Sequence, residues 1–139
     1  ILGIGPWEIR DWGNHKLWDR TYMGKPAWGR EKLGHAYLGD LELELFQPVE
    51  GKSIYQDWLD THGESIHHIK FLCDDIDATS KALSDQGFPT IQSGHFGDPK
   101  DKAGGFNYFD IPPLHCIFEP VHKPKVLPSP PIAIIPPKE

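Results

Sequence analysis

Three short stretches of the sequence carry side chains that could do chemistry, and they lie far apart along the chain. They are the pair His67-His68, the pair Glu42 and Glu44, and Glu119. Taken singly, each has an ordinary explanation, because strand histidines are often core or surface residues and strand carboxylates usually face water. Taken together, an imidazole and two carboxylates from three segments form a nitrogen and oxygen donor set. Such a set suits Zn, Ni, Co, Mn or Fe(II) and leaves coordination positions open for a substrate.

The acidic pair lies in a stretch that alternates between apolar and polar residues. Residues 37–46 read YLGDLELELF, with leucines at every second position and Asp40, Glu42 and Glu44 between them. Because side chains of a strand alternate between its two faces, this pattern predicts one strand over residues 37–46 with an acidic second face.

The histidine pair lies in residues 66–72, IHHIKFL, which predict a second strand. Neighbouring residues of a strand point to opposite faces, so His67 and His68 are not expected to share one metal ion. Lys70 follows two residues later and shares the face of His68. We expect one histidine to face the helix layer and the other the opposite side.

The remaining elements complete one recurring unit. Ser53 is a plausible N-cap for a helix through His62 that Gly63 ends, and Asp74 or Asp75 caps a helix to Gln86. Residues 66–120 then read β-α-β-β-β, with strands at 66–72, 88–92, 106–110 and 114–120 and a loop at 95–105. The N-terminal part predicts strands at 7–12, 16–23 and 37–46 without a helix before them. This order indicates two copies of one pattern, the first of them incomplete.

Composition limits the partners of the chain. Its 139 residues, 15.7 kDa, are enough for one domain with a sizeable core. The formal charge is −6 and no basic run occurs, which argues against nucleic acid and anionic membranes. No apolar run approaches the roughly 20 residues of a membrane span, and no signal peptide is recognisable. Two cysteines, Cys73 and Cys116, indicate thiols in a reducing compartment, so we expect a cytoplasmic protein.

The C-terminal segment differs from the rest of the chain. Residues 123–139 hold six of the 14 prolines, which excludes a helix or a central strand. We expect an extended tail over residues 122–139, separate from a domain of residues 1–121. Its apolar cluster at residues 132–135 favours docking on another surface, for which a partner subunit is one candidate.

Several short motifs occur in the order found in a known family. They are Gly3-Ile4-Gly5-Pro6-Trp7-Glu8, Leu43-Glu44-Leu45-Phe46-Gln47-Pro48, Ser65-Ile66-His67-His68-Ile69, Asp74-Asp75-Ile76-Asp77 and Ile117-Phe118-Glu119. In this order they resemble the vicinal oxygen chelate superfamily, which includes glyoxalase I, methylmalonyl-CoA epimerase, extradiol dioxygenases and bleomycin-resistance proteins. The resemblance covers roughly residues 1–121 and is greatest to the methylmalonyl-CoA epimerase-like proteins.

The resemblance implies an α+β fold in which paired βαβββ modules form a curved mixed sheet around a metal cup. Residues 1–50 would be a first module that is incomplete at its N-terminus, residues 51–65 a linker helix, and residues 66–121 the second module. By the same resemblance, His68, Glu119 and Glu44 are the metal ligands. The family's further ligand, usually a histidine on the first strand, has no counterpart, which indicates truncation or a substitute such as His15 or His35.

The activity implied is that of a metal-dependent isomerase acting alpha to a carbonyl or thioester, with an acyl-CoA as one possible substrate. Glu44 or Glu119 would serve as the base, and Lys70 would balance substrate charge. The aromatic stretch between residues 12 and 35 would place Trp12 and Trp28 against an aromatic or thioester substrate. Equally, this stretch could be a hairpin that packs on a dimer partner, since the family often forms homodimers.

Other functions use the same framework. A glyoxalase I-like lyase would use the same constellation on a thiol hemiacetal. An extradiol dioxygenase is less favoured, because it typically needs two histidines and one glutamate, with no acidic residue at the position of Glu44. A non-catalytic small-molecule-binding protein of the resistance type would lack the metal and line its cup mainly with aromatic residues.

Overall fold

A computed structural model of the chain describes residues 3–13, 17–98, 104–123 and 130–136. Within these ranges the chain forms ten strands and two α-helices. The strands are β1 Trp7–Gly13, β2 Leu17–Tyr22, β3 Lys25–Pro26, β4 Gly29–Leu38, β5 Leu41–Gly51, β6 His68–Leu72, β7 Thr90–Phe96, β8 Gly105–Ile111, β9 Cys116–His122 and β10 Ala133–Ile135. The helices are α1 Ile54–His62 and α2 Ile76–Asp85.

The strands form two sheets. One has the order β10-β1-β4-β5, and the other has the order β3-β2-β7-β8-β9-β6. All the pairings are antiparallel except that of β6 with β9. The predicted α+β class is confirmed. Among the described residues, no helix is long and apolar enough to cross a membrane.

The second module has the predicted order β6-α2-β7-β8-β9. Its helix starts after Asp75, whose carboxylate accepts the backbone N–H of Ala78 and thereby satisfies one free donor of the first turn. The link between β8 and β9 is a single 3-10 turn, Pro112–Leu114, where the proline pair cannot continue the strand. Parallel pairing places His68 beside Ile117 and Lys70 beside Glu119.

The first half of the chain differs from the prediction, which contained neither β3 nor most of β4. Residues 37–46 do not form one strand, because β4 ends at Leu38, the chain turns at Gly39-Asp40, and β5 begins at Leu41. Gly39 takes a φ of 61°, which a glycine adopts without strain and which a two-residue hairpin turn needs. The alternation of apolar and polar residues continues through this turn, so the sequence pattern does not indicate that the strand is interrupted there. In addition, β2 joins the second sheet by pairing with β7.

The helix α1 is confirmed with both predicted ends. The hydroxyl of Ser53 accepts the backbone N–H of Gln56 at 3.3 Å, and Gly63 is the C-cap. The first turn buries Ile54 and Tyr55. The backbone N–H of Ile54 donates to the side-chain oxygen of Gln92 on β7 at 3.1 Å, which fixes the helix start against the second sheet.

One buried ion pair joins the two sheets. The guanidinium of Arg20 on β2 donates from Nη1 to Glu31 Oε2 at 2.9 Å and from Nη2 to Oε1 at 2.5 Å. The two side chains are 3% and 2% exposed. Glu31 lies on β4, so this bidentate contact connects strands of different sheets in the interior.

The described end of the proline-rich tail, residues 130–136, docks on its own chain. Residues 133–135 form β10, which pairs antiparallel with β1, and the backbone N–H of Ile132 donates to the carbonyl of Ile9 at 2.7 Å. The side chains of β10 stay exposed. The division at residue 121 stays a prediction, although β10 adds a strand from the tail to the sheet of the domain.

Candidate metal centre

A cavity of about 110 Å³ lies between the two sheets and opens to solvent. One part of its lining is apolar: Trp12, Leu33, Phe46, Phe96, Phe106 and Val121. The other part is charged or polar: Glu8, Arg10, His35, Tyr37, Glu42, Glu44, Tyr55, Lys70, Tyr108, Glu119 and Lys123. The cavity therefore offers an apolar wall and a charged wall to one small molecule.

Three predicted site residues come together beside this cavity, and two of them, Glu44 and Glu119, line it. One nitrogen of His68 and one oxygen each of Glu44 and Glu119 lie within 4.8 Å of one another. Nε2 of His68 is 3.2 Å from Oε2 of Glu119 and 3.7 Å from Oε2 of Glu44. All three side chains are nearly buried, at 8%, 12% and 6% exposure for His68, Glu44 and Glu119.

Side chains two residues apart on a strand share one face, and this explains why the three groups converge. Glu42 and Glu44 share the inner face of β5, and His68 and Lys70 share the inner face of β6. Glu119 lies on β9, the immediate neighbour of β6. Because β5 belongs to the other sheet, the three groups approach from two opposed surfaces.

The protons of this triad are distributed unevenly. Burial opposes the charged form of His68, but hydrogen bonds and charge from Glu119 and Glu44 outweigh it and raise its pKa to about 9. Burial would raise the pKa of Glu44, yet hydrogen bonds from His35, His68 and Lys70 hold it well below its usual range. The pKa of Glu119 is raised, by burial first and also by the charge of Glu44.

A second group of donors shares Glu44 with the first. It consists of His35, Glu42 and Glu44, and Nε2 of His35 is 2.7 Å from Oε1 of Glu44. The ammonium of Lys70 lies among them, 2.8 Å from Oε1 of Glu44 and 3.0 Å from Oε2 of Glu42. Lys70 therefore already balances the charge on this side of Glu44.

His35 was one of the two substitutes expected for the missing ligand. It lies on β4 directly opposite Glu44, a pairing that the sequence did not show because this part of β4 was not predicted as a strand. The other substitute, His15, lies outside the described residues.

The expectation that alternation separates His67 from His68 is wrong. Strand β6 begins at His68, so His67 precedes it and is not held to the opposite face. The Nδ1 atoms of the two rings lie 2.8 Å apart, at hydrogen-bond distance. Burial first, and the charge of His68 second, lower the pKa of His67 to about 4.

Two tyrosines complete the surroundings of Glu119, and sequence reasoning missed both. The hydroxyl of Tyr55 donates to the hydroxyl of Tyr108 at 2.8 Å, and Tyr108 hydrogen-bonds to Glu119. Both are buried in the core. The alternation along β8 could have indicated that Tyr108 faces inward. The sequence alone does not distinguish a tyrosine of the site from a tyrosine of the core.

Two of the three residues predicted to contact the substrate lie at the cavity, and the third does not. Lys70 and Trp12 line the cavity. Trp28 is half exposed, at 50%, and is not among the residues that line it. The hairpin that was expected either to line a pocket or to pack on a partner places β2 against β7 of the same chain, where Trp18 stacks on His95.

The donor set fits a divalent cation. An imidazole nitrogen and two carboxylates, nearly buried and aimed at one point, are the ligand types that Zn, Co, Ni, Mn and Fe(II) accept in open catalytic sites. With one donor atom from each residue, the three side chains supply three ligands. Coordination positions on the ion therefore remain for substrate oxygens.

The fold and this site define a class of protein. The family model of the glyoxalase/bleomycin resistance protein/dioxygenase superfamily matches residues 1–108, and the chain belongs to this superfamily. Proteins of the superfamily generally bind divalent metals and small-molecule substrates, and they include both enzymes and non-catalytic members.

A curated relative is similar to part of the chain. An uncharacterized protein of Bacillus subtilis (strain 168), YqjC, is 40% identical over 89 residues, which are 61% of this chain and 64% of that protein. The chain thus spans less than two thirds of the length of the relative that it matches. The predicted superfamily is confirmed, whereas particular closeness to methylmalonyl-CoA epimerase stays a prediction.

Proposed function

We propose that this chain is a divalent-metal-dependent isomerase of the methylmalonyl-CoA epimerase type, which moves a proton alpha to a carbonyl or thioester. The observation that carries the proposal is the convergence of Glu44, His68 and Glu119 donor atoms within 4.8 Å beside a half-apolar cavity. The ion would be Co, Zn, Ni, Mn or Fe. When bound, it supplies Lewis-acid stabilisation of the negative charge that develops on the substrate oxygen.

The two carboxylates are suited to the proton transfers. Glu44 projects from one sheet and Glu119 from the other, and a carboxylate beside the metal can leave it and take a proton from the substrate. Epimerisation needs removal of a proton on one face and its return on the other. Glu44 is already held by His35, Lys70 and His68, whereas Glu119 is held by His68 and Tyr108. Glu119 is therefore the better candidate for the base that removes the proton.

The rest of the cavity supports a substrate with a charged and an apolar part. Lys70, Lys123 and Arg10 line the charged wall, and Trp12 lies in the apolar wall. A small acyl thioester, with an acyl-CoA as the proposed example, would place its carbonyl toward the triad and its chain against this wall. Trp28 takes no part in the proposal. A cytoplasmic homodimer remains the proposed form of the protein.

Metal analysis tests the ligand assignment. Elemental analysis of the purified wild type should find about one first-row metal per chain, and His68→Ala should lose it. His62→Ala is the matched control, because His62 is an exposed histidine on α1 outside the cavity. Full occupancy in His68→Ala would show that the ligand assignment is wrong.

Proton exchange tests the reaction. Metal-loaded protein incubated with methylmalonyl-CoA in deuterated water should incorporate deuterium at the alpha carbon, and Glu119→Gln should slow this by at least about 100-fold. Absence of exchange in a metal-loaded wild type would remove the epimerase proposal. Turnover of a thiol hemiacetal by that sample would support the glyoxalase I-like lyase instead.

One observation favours a second candidate, a non-catalytic small-molecule-binding protein. The ammonium of Lys70 lies within 3.0 Å of both Glu42 and Glu44, so these acids are neutralised without an ion. A wild type that retains no metal, even after reconstitution with Co²⁺ or Zn²⁺, and still binds an aromatic ligand would support this candidate.

A further inference from the structure

The contact between His67 and His68 restricts where their protons lie. The two Nδ1 atoms are 2.8 Å apart, and the rings are nearly perpendicular at 85°. Only one hydrogen fits between two nitrogens at this distance, so one ring donates and the other accepts.

The surroundings of His68 decide which ring donates. Its other nitrogen, Nε2, faces Oε2 of Glu119 at 3.2 Å and Oε2 of Glu44 at 3.7 Å. When Nε2 binds a metal ion there, the one N–H of the neutral His68 ring is on Nδ1. In that state His68 is the donor, and Nδ1 of His67 is the bare acceptor.

The ring of His67 is held in place by aromatic side chains. Its centroid lies 5.3 Å from that of Tyr55, 5.1 Å from Trp58 and 6.1 Å from Tyr108. Tyr55 and Trp58 belong to α1, and Tyr108 belongs to β8. Because these rings come from two elements, the position of the acceptor atom is set by the packing of the domain.

We propose that His67 is a positioning residue whose Nδ1 accepts the Nδ1–H of His68 and thereby turns Nε2 of His68 toward Glu44 and Glu119. A metal-binding histidine almost always donates its second ring N–H to a fixed acceptor, and here a neutral histidine fills that place. The contact between the two rings is present without an ion, whereas the direction of the hydrogen bond and its effect on metal affinity rest on the proposed function.

Two substitutions distinguish the effect of losing the acceptor atom of His67 from the effect of losing its aromatic ring. His67→Asn places an amide oxygen close to where Nδ1 was, so it keeps an acceptor and loses the aromatic contacts. His67→Phe keeps an aromatic ring among Tyr55, Trp58 and Tyr108 and loses the acceptor. His62→Asn and His62→Phe are the matched controls, because His62 also stacks on Trp58, at 4.0 Å, outside the cavity.

Long-range ¹H–¹⁵N NMR of the histidine side chains is the direct readout. In the Zn²⁺-loaded wild type we expect a protonated Nδ1 on His68 and a bare Nδ1 on His67. His67→Phe should lose the single set of ring signals of His68, and His67→Asn and both His62 controls should keep it. A protonated Nδ1 on His67 in the Zn²⁺-loaded wild type would overturn the proposal, even if no variant folds.

Competition of Zn²⁺ or Co²⁺ with a chromophoric chelator is the second readout. His67→Phe should bind about 10–100-fold more weakly than the wild type, with His67→Asn restoring most of the loss. Equal affinity of wild type and His67→Phe, with an unchanged His68 spectrum, would refute the positioning role and leave the metal site intact. A wild type that binds no metal would end the proposed function, and ring signals of His68 that change in His67→Phe but not in His67→Asn would still support the positioning role.

Discussion

The buried pair Arg20–Glu31 should be far more important for stability than any surface pair of the chain. Glu31→Leu leaves a guanidinium that is 3% exposed without its carboxylate, and Arg20→Met leaves the carboxylate without its partner. Loss of one member of such a pair costs about 3–5 kcal/mol, because a charge stays buried and uncompensated. Because Arg20 and Glu31 are this deeply buried, water does not screen the charge that remains.

The magnitude can be compared within the same chain. Lys81 and Asp85 form an ion pair on α2 whose side chains are 73% and 63% exposed. Lys81→Ala should cost only about 0.3–0.5 kcal/mol, since water already screens this pair. At about 3–4 °C per kcal/mol for a chain of this size, each buried single substitution should lower Tm by about 10–20 °C.

Urea unfolding followed by circular dichroism measures these free energies. The double variant Arg20→Met with Glu31→Leu removes both charges and should be near the wild type in stability, within about 1 kcal/mol. The coupling energy of the cycle should then exceed about 3 kcal/mol. Single variants that cost less than about 1 kcal/mol, or a double variant as unstable as the sum of both, would refute the reasoning.

Three further substitutions test separate parts of the structure. Lys70→Met should tighten Zn²⁺ binding by about tenfold or more in chelator competition, because an ammonium 2.8 Å from Glu44 no longer competes with the ion; unchanged affinity would contradict this. Gly94→Ala should cost about 1–3 kcal/mol in urea unfolding, since its Cβ would lie 2.7 Å from Cζ of Phe106; a neutral effect would show that the ring moves freely. Ser53→Ala should cost about 1 kcal/mol through loss of the cap of α1, and wild-type stability would show that the cap contributes little.

The grouping of the metal ligands could be predicted because it depends on local periodicity. Glu42 and Glu44 share a face, as do His68 and Lys70, whatever the exact ends of their strands. The capped helices were also predictable, since Ser53 and Asp75 act on the first turn that follows them. Assigning the strands to one concave site needed the family resemblance.

The errors arise where long-range contacts override the local pattern. The interior face of β4 carries Gly29, Glu31, Leu33 and His35, so this face does not read as apolar, and the strand was missed over most of its length. Glu31 is buried only because Arg20 neutralises it from another strand. No local pattern showed that β2 pairs with β7, more than 70 residues further along the chain.

The short strand β10 has a consequence for association between molecules. It covers the outer edge of β1, but Pro131 precedes it by two residues and Pro136 follows it directly. Prolines cannot donate a backbone hydrogen bond, so a further strand added from another molecule would find only a few usable groups. The proline-flanked strand therefore acts as a terminator that protects this end of the sheet from polymerising into larger aggregates.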